Sequence, residues 1–239
     1  ESETETEQWK STVRHVHRNC CAPQARQRCC DGTTWRDILA LSAFRQKRGG
    51  VALEMGALDG VSGSETIELE RAAGYRRILI EIDPGYRTAR QNRSADAVGV
   101  TAACCAAQDG AGPQHRMVHF LQRSAPGGTM SSGIQGVAEL MSLQHLNKWF
   151  PGVASAYRSA NASWSAVDWD RLRLPYRVNV TRVPCAPLPR ILHAVGLRWV
   201  DVAVIDTEGA ELNILESIDF GLVGFGLLVI EAYSRSGSR

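Results

Sequence analysis

Three acids stand where this chain's apolar runs should end as strands: Asp59 after "VALEMG", Glu81 in "RRILIEID" and Asp206 in "WVDVAVID". Gly56 and Gly60 flank the first in "GALDG", giving that turn backbone freedom and no side-chain bulk. A helix after the turn adds unpaired backbone N–H groups. This is chemistry for a nucleoside held close to the backbone. Glu81 is placed to accept both hydroxyls of a ribose. Asp206 is placed where a bound cofactor meets its acceptor. A ligand with an adenine, a ribose, no phosphate and a positive sulfonium suits so acidic a site, and S-adenosylmethionine fits that description. The fingerprint G-x-G-x-x-G is absent, because position 58 is Leu, which weakens a nicotinamide reading.

A hydroxyl acceptor also needs a base. Asp206 is the first candidate and His145 the second. Both have plainer roles open to them. Asp206 can cap the helix that begins near Glu208, Glu208 and Glu211 suit that helix's dipole, and His145 can simply pack on an amphipathic helix. Asp206 with Glu208 offers two acids to a divalent cation, too few for a site, so no metal is expected.

The elements that must hold these residues alternate. "VALEMG" reads as a buried strand. A helix follows, capped by Ser62 or Ser64, carrying Ile67 and Leu69, and stopping at Gly74. "RRILIEID" is a second strand, Pro84 opens a helix through Asn92, and "AVGVTAACC" is a third strand. After a gap the rhythm returns: helix "PLPRILHAVGL", strand "WVDVAVID", helix "GAELNILESI", strand "FGLLVIEAY". Such alternation implies parallel strands with helices on both faces and a ligand at the strands' carboxyl ends.

Residues 106–182 lose this rhythm. They hold a short strand "RMVHFL", a helix "SLQHLNKWF" and the period-free "GVASAYRSANASWSAVDW", and read as an insertion forming a lid or acceptor pocket. Thr34 caps a helix through about Lys47. Residues 1–33 are polar, acidic in "ESETETEQ" and basic in "RHVHRNCCAPQARQRCC", and read as a mobile tail. Its His15, His17 and two Cys pairs match no standard zinc spacing. Residues 34–239 are therefore expected to form a single domain.

With 239 residues, 44% hydrophobic, the chain can bury one sizeable core. A formal charge of +2 gives no strong pull toward nucleic acid or membrane, and no apolar run nears the ~20 residues of a spanning helix. Seven cysteines are too few for a disulfide scaffold. Three sequons, at Asn92, Asn161 and Asn179, matter only in the secretory pathway. The start at Glu1 reads as a fragment or processed form, so the compartment, cytoplasmic or endomembrane, stays open.

The stretch "LEMGALDGVSGSETIELERAAGYRRILIEIDP" resembles the opening of FkbM-type methyltransferases, and "VDVAVIDTEGAELNILESIDF" with "LLVIEA" resembles their second signature. "SSGIQGVAELMSLQHLNKW" is similar to the family's middle region, so the likeness spans roughly 48–233. It implies a class I methyltransferase, a Rossmann-like α/β three-layer sandwich with a mostly parallel sheet. It also implies S-adenosylmethionine as cofactor and O-methylation of a small-molecule or glycan hydroxyl. Glu54, Gly56, Asp59 and Gly60 match the cofactor motif, Glu81 the ribose acid, and Asp206, Glu208, Gly209 and Glu211 the second signature. Two departures stand out. The second strand ends Glu-Ile-Asp-Pro, and the chain stops soon after "LLVIEAY", where the resemblance implies a further strand pair. "GALDG" with "SETIELE" is also similar to the insect Star branch, which implies a non-catalytic, membrane-associated trafficking protein instead.

Overall fold

The computed structural model describes residues 47–61, 63–86, 97–106, 116–123, 134–175 and 177–231. The tail with His15, His17 and its Cys pairs, nearly all of the helix expected over 34–47, the cap Ser62 and most of "APGGTMSSGIQG" lie outside the described residues; of the helix expected from Pro84 to Asn92, only the 3-10 turn Pro84–Tyr86 is described.

Two sheets carry the described chain. The central one contains β1 (Val51–Met55), β2 (Arg76–Ile80), β3 (Val98–Val100), β8 (Trp199–Ile205) and β9 (Gly224–Ile230), in the order β3-β2-β1-β8-β9. Every pairing in it is parallel. Strands buried on both faces need mostly apolar runs, which "VALEM", "ILI" and "VAVI" supply, the one charge among them, Glu54, being paired with Arg77. Leu53, Met55, Ile78, Ile80, Ala203 and Ile205 face the main core, where Leu188, Ile191, Leu192 and Ile214 cover them. Those covering residues come from α4 (Leu188–Ala194) and α5 (Glu211–Glu216). The other face, with Ala52, Val202 and Val204, packs on Leu69 of α1 (Ile67–Ala73). Helices on both faces give the three layers of a Rossmann-like fold.

The second sheet contains β4 (Ala103–Cys104), β5 (Arg116–Arg123), β6 (Gly136–Val137) and β7 (Val178–Ala186), in the order β4-β7-β5-β6. The run "AVGVTAACC", expected as one strand, is split: β3 ends in the central sheet and β4 begins the second. Likewise "VNVTRVPCA" is a nine-residue strand paired antiparallel with β5 over eight positions, so Cys185 sits in a strand and not in the loop its Pro neighbours suggest. Val118, Phe120, Val137 and Val183 form this sheet's inner cluster. Its other face carries Leu121 and Ala138 against α2 (Leu143–Trp149) and α3 (Pro151–Ser159). Helix α3 lies in the segment that shows no period.

Helix α1 is shorter than the sequence suggests. It starts at Ile67 with no side-chain cap and ends on Gly74, whose left-handed φ of 69° lets its N–H reach Glu70 O at 2.9 Å. Ser64 does not cap it; its hydroxyl donates to Glu54 at 2.7 Å.

Candidate functional site

The ladders of the central sheet run past the strand ends and fix the residues beyond them. Gly56 N donates to Ile80 O at 3.0 Å, Glu81 N to Val100 O at 2.9 Å, Asp206 N to Met55 O at 3.2 Å, and Glu231 N to Ile205 O at 3.0 Å. Four neighbouring strands thus deliver Gly56, Glu81, Asp206 and Glu231 to one edge of the sheet. A cavity of about 180 Å³ opens there. Gly56, Glu81, Asp206 and Glu208 line it from the central sheet, and Phe120 and Gln135 from the second. The stretch 106–182 thus supplies one wall.

Glu81 is fixed by the backbone around it. It is 3% exposed, one carboxylate oxygen accepts the Leu58 N–H and the other the Asp83 N–H, both at 2.8 Å. Asp83 in turn accepts the side-chain amide of Gln122 at 2.7 Å, which ties the end of β2 to β5. Tyr86 stands close enough to feel this group: burial first, then the charges of Asp83, Glu81 and Asp59, push its hydroxyl above the ordinary range.

Gly56 is required by its nearest neighbour. It has φ 81°, and a Cβ there would come 1.9 Å from the Asp206 carbonyl oxygen. The bend is bare because β1 and β8 close on each other, and that closure sets Asp206 beside the cavity.

Asp206 pairs with Glu231, a residue the sequence reading passed over. Burial raises the Asp206 carboxyl, the hydrogen bond from Glu231 works against that, and the charges of Glu211 and Glu54 add to it. Glu231 is pushed up to about 8, by burial first and then by its bond to Asp206 and the charges of Asp206, Glu208 and Glu211. Both carboxyls are raised, Glu231 the more strongly, and Glu231 donates the hydrogen bond that Asp206 accepts. Glu208 sits at φ 58° and Gly209 at φ 109°, and Glu211 closes the turn by accepting from Thr207 N at 2.9 Å and Gly209 N at 3.0 Å. Glu211 is thus spent on the turn.

Other predicted residues lie off the cavity wall. Glu54 points to the α1 face, 4% exposed, and pairs with Arg77 at 3.1 Å. It also accepts from Glu65 N at 3.1 Å and from the Thr66 hydroxyl, so the N–H groups ahead of α1 meet a protein carboxylate. Arg77 also donates to Gly60 O at 2.9 Å and Ser64 Oγ at 2.6 Å. Asp59 accepts Val61 N at 2.8 Å, closing its own turn. His145 is on α2, with Nε2 3.1 Å from Ile134 O and its ring against Phe150. Asp206, Glu208 and Glu231 bring three carboxylates within 4.8 Å of one another, one more than the sequence pairing.

Residues 54–238 match the family model described as the methyltransferase FkbM domain. The chain belongs to that family. Neither a curated protein nor a solved structure matches it, and the similarity to the Star branch is not shown. No described helix is long and apolar enough to cross a membrane. In FkbM terms both signatures reach one cavity, which Glu81 lines from the end of β2 and Asp206 from the end of β8.

Proposed function

We propose that this FkbM-type chain transfers a methyl group from S-adenosylmethionine to a hydroxyl of a small molecule or glycan. The observation that carries the reading is the convergence of Glu81 and Asp206, from the ends of the two parallel strands that flank β1, on one cavity. The residues fit the cofactor chemically. Glu81 is a carboxylate fixed by two backbone donors and facing the space where a ribose would lie. The side-chain oxygen of Gln135, 7% exposed and on the same cavity wall, has no partner of its own. The Asp206–Glu208–Glu231 acids favour a cation. When bound, S-adenosylmethionine supplies a methyl group on a positive sulfonium.

The chain's own work is then alignment and proton removal. Glu81 fixes the donor's sugar, and the walls from the second sheet fix the acceptor, which is where most acceleration of a displacement arises. Asp206, which accepts a hydrogen bond from Glu231, takes the acceptor's hydroxyl proton. Glu231 steadies the resulting acid–acid pair.

Calorimetry with S-adenosylmethionine and S-adenosylhomocysteine tests the cofactor. Both should bind the native protein, and Glu81→Ala should abolish both while Glu81→Gln, which keeps the shape, retains weaker binding. A folded native protein that gives no heat with either compound overturns the proposal. For the base, Asp206→Asn should lower turnover about 10²- to 10⁴-fold with donor binding kept, measured as label transfer to a panel of hydroxylated acceptors. Unchanged turnover would remove Asp206 from that role.

A further inference from the structure

Cys105 and Cys185 are joined in a disulfide, with Cα atoms 5.9 Å apart and both residues almost fully buried. They are 80 residues apart in sequence and meet only because β4 lies beside β7. Their neighbour Cys104 is a free thiol, but burial drives its pKa far above the ordinary range, so it is a poor partner for exchange. A structural disulfide of this kind belongs to an oxidising compartment and is rare in the cytosol. In such a compartment the Asn-x-Ser/Thr triplets become acceptors for N-linked glycans.

Two of the three triplets lie among the described residues, and the fold treats them differently. Asn179 is exposed but is the second residue of β7, its backbone in the ladder opposite Gln122. Gln122 donates to Asp83, so a sugar on Asn179 would crowd the cavity's own scaffold. Asn161 is in the turn after α3. It and Ala162 are exposed, in left-handed conformations at φ 53° and 56°. The turn is held by its own backbone, Asn161 N to Arg158 O at 3.1 Å and Ser163 N to Ala160 O at 3.1 Å. It belongs to the α2–α3 side of the second sheet, the face opposite Phe120 and the cavity.

We propose that the chain folds in an oxidising compartment of the secretory route and carries an N-linked glycan on Asn161. The donor is an oligosaccharide linked to a lipid diphosphate. The carboxamide nitrogen of Asn161 forms a bond to the anomeric carbon, and the bond from that carbon to the diphosphate oxygen breaks. The lipid diphosphate leaves with the electron pair, and the nitrogen's proton passes to a base of the transferring enzyme. The glycan stands away from the cavity, so the site stays open.

Peptide mapping of the full-length protein from its own cells, digested without reduction, tests this. The tryptic peptide 159–171 should be absent at its unmodified mass and appear after peptide-N-glycosidase treatment with Asn161 converted to Asp. Peptides holding Cys105 and Cys185 should be found linked. Expressed in the same cells, Ser163→Ala should abolish the modification and Ser163→Thr should retain it. A native protein whose 159–171 peptide is unmodified overturns the glycan, whatever the state of the cysteines. Free, alkylatable Cys105 and Cys185 overturn the compartment.

Discussion

Arg77 decides whether the turn from Gly56 to Ser64 has a shape. Its guanidinium is 2% exposed and reaches Glu54, Glu70, Thr66, Ser64 and the Gly60 carbonyl. Removing one partner of such a buried pair strands the other charge. Arg77→Ala should cost about 3–5 kcal/mol in urea unfolding, with Glu54→Gln on that background recovering part of the loss. Equal stability of the single and double variants would show that Glu54 carries no buried charge. Glu231 sets a second residue-scale expectation. Its folded carboxyl titrates near 8 against an ordinary 4.5. The folded protein therefore holds this proton more tightly than the unfolded chain, and the contribution is fully present below about pH 4.5 and lost as pH rises through 8. In Glu231→Gln that loss should be missing, so melting temperature measured from pH 5 to 9 should fall less steeply than in the native protein. Parallel curves would mean that Glu231 does not titrate in that window.

At the scale of elements, the strand ends matter more than the strands. Gly56 and Gly74 both have left-handed φ, yet a Cβ at Gly74 meets nothing within 4 Å while one at Gly56 strikes the Asp206 carbonyl. Gly74→Ala should cost about 1–2 kcal/mol, the left-handed penalty alone. Gly56→Ala adds overpacking of about 1–3 kcal/mol and pries β1 from β8, so cofactor binding should fall with stability. Binding calorimetry beside urea melts separates the two; equal effects at both glycines would place the Gly56 contact elsewhere. The same contrast explains what was legible in the residues. β1, β2 and β8 announce themselves because interior parallel strands need largely apolar runs, and β9, at the edge of the described sheet, carries such a run as well. β7 does not, since its outer positions Asn179 and Arg182 are exposed and Pro184 interrupts it. α3 buries only Val153 and Ala154, and one Val among small residues makes no period. Glu81 and Asp206 could be placed by their strand ends. Arg77 reads as one of two charges opening a strand, and Glu231 as an acid at a strand's exposed tip, because their partners lie 23 and 25 residues away in sequence.

On the scale of the whole molecule, the chain leaves the central sheet through β3 and β4 and returns through β7, α4 and β8. The disulfide between Cys105 and Cys185 sits at that neck and brackets the segment expected as an insertion. The segment is thus a long loop closed at its base, and its Phe120, Gln135 and Val137 are one wall of the cavity. Closing a loop of this length restrains the unfolded chain by about 4 kcal/mol in the chain-entropy account. The central sheet has its own core of Leu53, Ile78, Leu192 and Ile205 and does not need the link. Reduction should therefore loosen the second sheet before the central one. Under dithiothreitol, amide exchange should quicken in β5 and β7 while β1, β2 and β8 keep their protection, and Cys105→Ser should reproduce the pattern. Cofactor affinity should fall less than acceptor turnover, because Glu81 and Gly56 belong to the sheet that stays closed. Uniform loss of protection across both sheets would show instead that the neck and the central core unfold as one unit.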